Sequence, residues 1–340
     1  MKKQYTINEI ATILNLSRNT VSKVLNDKKG VSPKTQKIVW NFLASNQTVY
    51  AGDFPKMHTE SQNRNVIFTY HLSNGEYLNN ILNGLERYLK GNGYTLILNI
   101  VHDDEEGHIS LPPALNSGLA CGIISFNIFD KDYWEKIIDL HIPSVFIDTF
   151  YQSYLFAGRT DIITPENCHA IHKVIGMLLE KGKKRFGFIG NPYYCYSSNQ
   201  RWLAFCSSLQ NAGLEVQKEF CILEDLLKHS DSEQMEFLRR KIEGMPQCPE
   251  AFVCTSDSFA TILSCVLQEK GYRIPQDVSI VGFDNLSETL RQSPTITTID
   301  AHSEYLGEIA GQKLLERIAN PKKYYEFLSY STDLILRDST

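Results

Sequence analysis

From residue 65 onward, short apolar runs alternate with stretches whose apolar residues repeat at helical spacing. Runs of this kind are typical of strands buried on both faces, and a strand–helix–strand repeat builds a parallel sheet covered by helices on both sides. Residues 65–340 exceed what one such unit usually holds, so two lobes are expected. The predicted strands are 66–70, 94–101, 122–126, 144–148, 186–190, 251–254 and 278–284, and the clearest predicted helices are 169–181, 200–212 and 259–270.

Composition places the chain among ordinary globular proteins. Of its 340 residues, 42% are hydrophobic and 21% are charged. No apolar run approaches the roughly 18 residues of a membrane-spanning helix, and no signal-peptide core follows Lys2 and Lys3. The eight cysteines include no C-x-x-C pair, which argues against a disulfide framework or a cysteine-rich zinc site. We therefore expect a cytoplasmic protein with no membrane association.

Charge is distributed unevenly along the chain. Residues 1–50 carry eight basic and two acidic residues, a net charge of +6, whereas the remainder has a net charge of -11. A small basic segment on a large acidic body indicates a polyanionic partner for that segment alone. Chance clustering on a solvated face is the alternative.

The basic segment contains patterns for three short helices. Thr6 and Glu9 form a capping box, which is followed by apolar residues at helical spacing (Ile7, Ile10, Ala11 and Leu14). Ser17 is a good N-cap for a second helix, 18–26, and Ser32 before Pro33 starts a third. In the third helix, the residues expected to point inward are Ile38, Val39, Phe42 and Leu43.

The second helix has two chemically different faces. One face is apolar, with Val21, Val24 and Leu25, and the other is polar and basic, with Arg18, Asn19, Ser22 and Lys23. Two short helices joined by a tight turn, with this outer face, predict a helix-turn-helix. Such a helix fits the major groove of DNA, where Arg and Asn contact guanine and adenine. A small helical bundle that binds no nucleic acid is the alternative.

The run from Leu16 to Asn26, followed by Val31-Ser-Pro-Lys-Thr, resembles the DNA-binding head of the LacI/GalR family of bacterial transcription regulators. The resemblance implies that Arg18 and Asn19 read bases, that Lys23 adds a basic contact, and that three hydroxyl residues contact phosphates or base edges. The implied DNA-binding set within the head is Thr6, Ser17, Arg18, Asn19, Thr20, Ser22 and Lys23.

A polar stretch, residues 49–64, reads as a linker. In the family this stretch holds a hinge helix whose leucine wedges into the minor groove. Met57 falls at the wedge position, with Phe54 as a second apolar candidate. Gly52 and Pro55 weaken a helix, so a disordered tether is the alternative.

The body resembles the family's effector core, which is similar to periplasmic sugar-binding proteins. Its marks include Asn83-Gly84-Leu85-Glu86 and the run from Ile274 to Asn285. The resemblance implies a small all-α helix-turn-helix head plus an α/β two-lobed periplasmic-binding-protein-like core with parallel sheets. The implied domains are a head (1–48), a linker (49–64) and a core (65–340) that the chain crosses three times, with lobes of about 65–162 with 292–324 and 163–291 with 325–340.

Ligands of parallel sheets bind beyond the carboxyl ends of the strands. Arg201 matches the family's ligand-gripping arginine and Asp284 an acid across the cleft, a pair suited to vicinal hydroxyls. Alternatively, the two pair with each other or with the backbone. Loop tyrosines 193, 194 and 196 either stack on a sugar ring or are simply exposed. The predicted effector-binding set is His71, Phe126, Asp148, Ser197, Arg201, Ser256 and Asp284.

No enzyme motif accompanies this architecture. The sequence has no G-x-G-x-x-G, Walker loop, G-x-S-x-G or H-E-x-x-H, and the pair His169 and His172 has no third ligand nearby in sequence. We predict no catalytic residue, metal or cofactor. The sequence predicts a homodimeric repressor that binds operator DNA under the control of a small ligand, most simply a carbohydrate; a sugar-binding protein with no role on DNA is the alternative.

Overall fold

The computed structural model describes residues 6–25, 30–32, 34–36, 38–39, 42, 63–71, 75–102, 109–111, 115, 118–227 and 229–340. The chain divides into two compact units, residues 1–62 and 63–340. Met57, Phe54 and nearly all of the predicted linker lie outside the described residues. Within the described part of the chain, no helix is long and apolar enough to cross a membrane.

The elements are numbered in chain order. The helices are α1 (Ile7–Ile13), α2 (Arg18–Leu25), α3 (Glu76–Gly91), α4 (Lys131–Asp139), α5 (His169–Glu180), α6 (Tyr196–Asn211), α7 (Asp231–Gly244), α8 (Asp257–Glu269) and α9 (Ser303–Ala319). The strands are β1 (Asn65–His71), β2 (Thr95–Val101), β3 (Gly122–Phe126), β4 (Ser144–Ile147), β5 (Asp161–Pro165), β6 (Phe186–Ile189), β7 (Cys221–Ile222), β8 (Ala251–Cys254), β9 (Ser279–Val281), β10 (Thr298–Asp300), β11 (Phe327–Tyr330) and β12 (Asp333–Ile335).

The first unit is a small helical domain with its own core. The predicted apolar faces of α1 and α2 meet there, and the described residues of 34–42 are helical where the third helix is predicted. Val39 is fully buried, but Ile38, which was expected to point inward, is 43% exposed. Consecutive side chains point about 100° apart around a helix, and here the core lies on the side of Val39. The fully or nearly buried residues are Ile10, Ala11, Val21, Val24, Leu25 and Val39.

The second unit consists of two lobes, each built on a parallel sheet. The sheet of lobe 1 has the strand order β11-β5-β4-β3-β1-β2, with α3 and α9 on one face and α4 on the other. The sheet of lobe 2 has the order β7-β6-β8-β9, with α5 and α6 on one face and α7 and α8 on the other. The predicted two-lobed architecture with parallel sheets is confirmed.

The chain crosses between the lobes three times, as predicted, but at other residues than expected. β5 pairs within lobe 1 and ends at Pro165. β10 lies with lobe 2, because the Gly282 amide donates to Thr297 and the Asp284 amide to Ile299. β11 pairs with β5 and therefore belongs to lobe 1, whereas β12 pairs with β10.

Two predicted boundaries are corrected by this pairing. The segment before α9, given to lobe 1 as part of 292–324, contributes β10 to lobe 2. The segment 325–330, given to lobe 2, forms an edge strand of lobe 1. Backbone pairing decides the lobe of these segments, and neither carries the long apolar run that marks a central strand.

Helices α3 and α9 pack unusually closely because glycines face each other at their crossing. A Cβ on Gly84 would lie 1.8 Å from the carbonyl oxygen of Glu304, and one on Gly307 would lie 1.9 Å from that of Ile81. Arg87 of α3 also pairs with Glu304 and Glu308 of α9 at the exposed edge of this contact. The backbones therefore approach to a distance that only glycine permits.

We expect Gly84→Ala to lower the free energy of unfolding by about 1–3 kcal/mol or more, because the added methyl group overlaps a backbone carbonyl. Urea unfolding followed by circular dichroism measures the change. Gly91→Ala is the matched control: it lies in the same helix with no atom within 4 Å of the added Cβ. In a helix the Gly→Ala change by itself stabilises by about 0.5–1 kcal/mol. Equal effects of the two substitutions would contradict the close packing.

Candidate functional site

The helical domain presents one polar helix on its surface. Ser17 caps α2, since its Oγ accepts from the Thr20 amide at 3.0 Å and lies 2.7 Å from the Thr20 hydroxyl. Arg18 and Asn19 follow at the start of the helix and are exposed. The positive φ of Asn15 (52°) turns the chain sharply between α1 and α2. The result is the helix-turn-helix that the pattern predicted.

The other predicted DNA-binding residues occupy mixed positions. Thr6 caps α1: its Oγ1 accepts from the Glu9 amide at 3.3 Å, and its own amide donates to the Glu9 carboxylate at 2.7 Å. Ser22 and Lys23 are partly buried on the flank of α2. The face with the freest access to a groove is therefore the N-terminal turn of α2.

The second candidate site lies between the two lobes, where a buried polar network surrounds Arg201. The Arg201 Nε donates to Asn167 Oδ1 at 2.8 Å, and its Nη1 donates to the Thr255 carbonyl oxygen. Its guanidinium carbon lies 3.3 Å from the ring centroid of Phe283, so the charge rests on an aromatic face. Arg201 is 8% exposed and lies in the second turn of α6, not at its start as expected. The backbone pairing considered as an alternative is thus present at Thr255.

Ser197 belongs to the same network. Its hydroxyl lies 3.0 Å from Thr164 Oγ1 and accepts from Asn167 Nδ2 at 3.1 Å. Thr164 is in β5 of lobe 1, Asn167 is at the first crossover, and Ser197 is in α6 of lobe 2. The network therefore joins both lobes at the place where the chain passes between them.

Asp148 meets this network from lobe 1. It directly follows β4, and its positive φ of 64° turns the chain into the cleft. Its Oδ1 accepts from the Thr149 amide at 2.8 Å and from the Ser197 amide at 3.3 Å. Burial raises the pKa of the carboxyl, while these hydrogen bonds oppose the rise. A lobe 1 acid thus lies at the positive N-terminal end of a lobe 2 helix.

Asp284, which follows β9 of lobe 2, lies close enough to Arg201 to interact with its charge. It has a positive φ of 112°, and its amide donates to the Ile299 carbonyl at 2.8 Å. Burial raises the pKa of its carboxyl to about 7, and the positive charge of Arg201 limits the rise. The two groups are therefore electrostatically coupled, although the hydrogen bonds of Arg201 described above go to Asn167 and Thr255.

A fully buried acid behind this loop fixes its conformation. The Asp257 carboxylate accepts from the Thr298 hydroxyl at 2.6 Å and from the Leu286 amide at 2.7 Å. Its own amide donates to the Phe283 carbonyl at 2.8 Å. Burial, with the nearby Asp284 charge as a second cause, raises the pKa of Asp257 to about 8. Asp257 thus holds both ends of the turn that carries Asp284.

The structure gives less support to the remaining predicted effector-binding residues. The Ser256 hydroxyl accepts from the Phe259 amide at 3.3 Å and caps α8, so it already has a structural task. Phe126 lies at the end of β3, with its ring centroid 6.2 Å from those of Phe68 and Tyr77. His71 ends β1 and is partly buried.

Sequence reasoning missed two tyrosines of the cleft. Tyr77, in the first turn of α3, packs against the hydrophobic cores of both lobes. Burial raises its pKa, and the charges of Tyr330 and Asp284 add to the rise. Tyr330 donates to the Ala301 carbonyl at 2.6 Å. Tyr77 follows β1 closely, so the rule that ligands bind at strand ends was a usable signal for it.

The three loop tyrosines have different surroundings. Tyr194 joins the lobes, since its hydroxyl donates to Asn127 Oδ1 at 2.7 Å. Tyr193 is 66% exposed, and its ring lies 5.5 Å from that of Tyr151. Tyr196 packs against Phe327. Only Tyr193 thus presents a largely open ring.

The cleft brings together groups that can bind hydroxyl groups. It offers a guanidinium, two carboxyls and aromatic faces, which suit a ligand rich in hydroxyl groups. Asp257 is fully buried with both oxygens engaged, so it touches no ligand directly. Among the described residues, no group of three or more His, Cys, Asp or Glu side chains is placed to hold a metal ion.

We expect the stability of Asp257→Asn relative to wild type to increase as the pH rises from 5 to 8. Folded wild type keeps a proton on Asp257 up to about pH 8, whereas the unfolded chain releases it near the ordinary carboxyl value. Wild type therefore loses stability as the pH rises through this window, by at most about 1.4 kcal/mol per pH unit. Asparagine does not titrate. Urea unfolding at each pH measures the difference.

Asp277→Asn is the control for this titration. A hydrogen bond from Arg273 lowers the pKa of Asp277 to about 2, so this carboxyl is ionised in both folded and unfolded chains across the window. The difference in the free energy of unfolding between Asp277→Asn and wild type should stay constant with pH. Parallel pH profiles for the two variants would contradict a proton held on Asp257.

Known proteins resemble this chain along nearly its whole length. A family model described as a periplasmic binding protein-like domain matches residues 175–340. The HTH-type transcriptional repressor PurR of Photorhabdus laumondii subsp. laumondii is 27% identical over 342 residues, which span 98% of this chain and 96% of the repressor.

Solved structures share the fold. The complex of the transcriptional regulator CelR with cellobiose matches with a TM-score of 0.69 at 20% identity, covering 99% of this chain and 100% of CelR. The lac repressor dimer bound to operator and the anti-inducer ONPF matches with a TM-score of 0.65 at 18% identity, covering 99% of both chains. In its core the chain is thus similar to a periplasmic binding protein-like domain, and over nearly its whole length it is similar to an HTH-type transcriptional repressor.

Proposed function

We propose that this protein is a sequence-specific DNA-binding repressor whose operator affinity is controlled by a small ligand bound between the lobes of its core. The observation that carries the proposal is the N-terminal turn of α2, where Arg18 and Asn19 are exposed on a helix capped by Ser17. The alternative, a ligand-binding protein with no role on DNA, does not account for a basic helix-turn-helix. As a regulator of chromosomal DNA, the protein acts in the cytoplasm and is not an enzyme.

The ligand of the cleft is a small polyhydroxylated molecule, most simply a carbohydrate. Arg201 and Asp284 supply a guanidinium donor and a carboxyl, and Tyr77 supplies an aromatic ring. CelR, which shares the fold, has been solved as a cellobiose complex. In the family an amide side chain is common at the position of Ser256, and acids or hydroxyls are common at that of His71. Because this chain departs at both positions, no one relative supplies the ligand's identity.

The protein acts as a homodimer on a near-palindromic operator, because two heads read two half-sites. An apolar surface of lobe 1 supports self-association. Leu98 and Ile100 on the edge strand β2 are 50% and 42% exposed. An exposed apolar edge strand favours pairing with a further chain.

We expect Arg18→Ala to weaken binding to the specific operator by about 1–3 kcal/mol, the value of one bidentate base contact. Fluorescence anisotropy with the duplex that the full chain enriches from a random pool measures this. Binding to random DNA should fall less, and wild-type affinity should decrease with salt as phosphate contacts release counterions.

Arg273→Ala removes the same charge from an exposed site of the core and is the control. It should leave operator affinity unchanged. Equal losses of Arg18→Ala on operator and on random DNA would reduce Arg18 to a phosphate contact.

We expect Arg201→Lys to weaken ligand binding by about 1.5–3 kcal/mol, because lysine keeps the charge but loses the planar fork. A carbohydrate screen by thermal shift identifies the ligand, and calorimetry compares the two proteins. At about 100 times its dissociation constant, the ligand should stabilise wild type by about 2.7 kcal/mol.

Arg185→Lys makes the same change in lobe 2 at the ion pair with Glu250, at 3.0 Å and outside the cleft. This control should bind the ligand as wild type does. Undiminished affinity in Arg201→Lys would place the ligand elsewhere.

A further inference from the structure

A carboxylate of lobe 1 receives three hydrogen bonds from one residue of lobe 2. The Ser287 amide lies 3.1 Å from Glu76 Oε1 and 3.0 Å from Glu76 Oε2, and the Ser287 hydroxyl donates to Oε2. Glu76 is the first residue of α3, and Ser287 begins the 3-10 segment Ser287–Leu290. Arg291 also donates to the Ser287 hydroxyl at 3.1 Å. The ionised acceptor makes these bonds stronger than those between neutral groups.

Both ends of this contact are rigidly held. On the lobe 1 side, Leu78 and Ile81 bury the first turns of α3 in the core. On the lobe 2 side, the residue before Ser287 is fixed, because the Leu286 amide donates to the buried Asp257 carboxylate at 2.7 Å. A change in the distance between Glu76 and Ser287 therefore requires movement of whole lobes rather than of side chains alone.

The contact also borders the two walls of the cleft. Glu76 directly precedes Tyr77, the lobe 1 tyrosine that packs against both lobes. Ser287 follows Asp284 by three residues, and the Asp284 charge raises the pKa of Tyr77. The hydrogen bonds of Glu76 thus fix how far apart these two walls stand.

A second set of contacts joins the lobes at another place. The Tyr196 amide donates to the Thr149 carbonyl at 2.7 Å, and the Ser197 amide donates to Asp148 Oδ1 at 3.3 Å. These amides belong to the first two residues of α6 and have no partner within the helix, so only lobe 1 satisfies them. Their protection from exchange reports whether the lobes are together.

We propose that Glu76 is a positioning residue that latches lobe 1 to lobe 2 through Ser287 and thereby sets Tyr77 against Asp284. The latch holds the lobes in the arrangement described above. It goes beyond the proposed function and does not depend on it, since it requires neither DNA nor an identified effector.

Hydrogen–deuterium exchange on the full chain, resolved to single amides by fragmentation, tests the latch without a ligand. Glu76→Ala removes all three hydrogen bonds. The Ser287 amide should exchange several-fold faster, and so should the remote amides of Tyr196 and Ser197. The amide of Ile123, which donates to Pro143 within lobe 1, should keep its wild-type rate, which shows that the lobes themselves remain folded.

Two further variants make the test specific. Ser287→Ala keeps the amide contacts to Glu76 and removes the hydroxyl, which bonds to Glu76 and to Arg291. It should raise the same exchange rates by a smaller factor, and it tests the latch if Glu76→Ala does not fold. Glu86→Ala removes an exposed carboxylate of the same helix, whose partner is Lys90 at 3.6 Å, and should change none of the three amides. Faster exchange confined to Ser287, or an equal effect of Glu86→Ala, would overturn the proposal.

Discussion

The hydrogen bond from Arg201 to Asn167 links the ligand cleft to the point where the chain passes between the lobes. Arg201 lies on α6 of lobe 2, while the same Asn167 amide bonds to Ser197 and to Thr164 in the last residues of β5. A ligand that binds the Arg201 guanidinium therefore contacts a group that is hydrogen-bonded to Asn167 at the crossover. Coupling between two sites needs an element with two arrangements that both sites bias. Control of operator affinity by a ligand therefore requires that the lobes adopt more than one arrangement.

The cleft contains acidic side chains that are buried beside a buried arginine. Burial raises the pKa of three carboxyls, those of Asp148, Asp257 and Asp284, and the positive charge of Arg201 opposes the rise at Asp148 and Asp284. Asp257 has its oxygens engaged by Thr298 and Leu286, so it shapes the loop rather than meeting the ligand. Asp284, with its pKa near 7, is poised to accept from or donate to a hydroxyl group.

The parts of the fold that follow from local sequence were predictable. The runs 122–126 and 251–254 are central strands with the predicted bounds, because continuous apolar residues leave no exposed face. β5 escaped prediction because its Asp161 is buried, and that burial depends on distant groups: the ion pair with Arg317, 156 residues away, and the amide of Glu326. β11 escaped as well, since Phe327 and its neighbours alternate as an exposed edge strand.

The residues of the candidate site also fall into those that the sequence could predict and those that it could not. Arg201, Asp284 and Asp148 follow strands, and strand ends meet at one edge of a sheet, so their proximity could be inferred. Tyr77 and the latch between Glu76 and Ser287 depend on how one lobe rests on the other, which no local pattern encodes. Ser256 shows the opposite error, because a residue aligned with ligand contacts in relatives here caps a helix.

The most direct test of the account is selection of DNA by the full chain from a pool of randomised duplexes. The account predicts enrichment of a two-fold symmetric sequence, with half-sites about one helical turn or a multiple apart. It also predicts that the protein prefers this sequence over random DNA by at least about a thousandfold at physiological salt. Retention of DNA without enrichment of any sequence, or no retention at all, would contradict a repressor that recognises an operator.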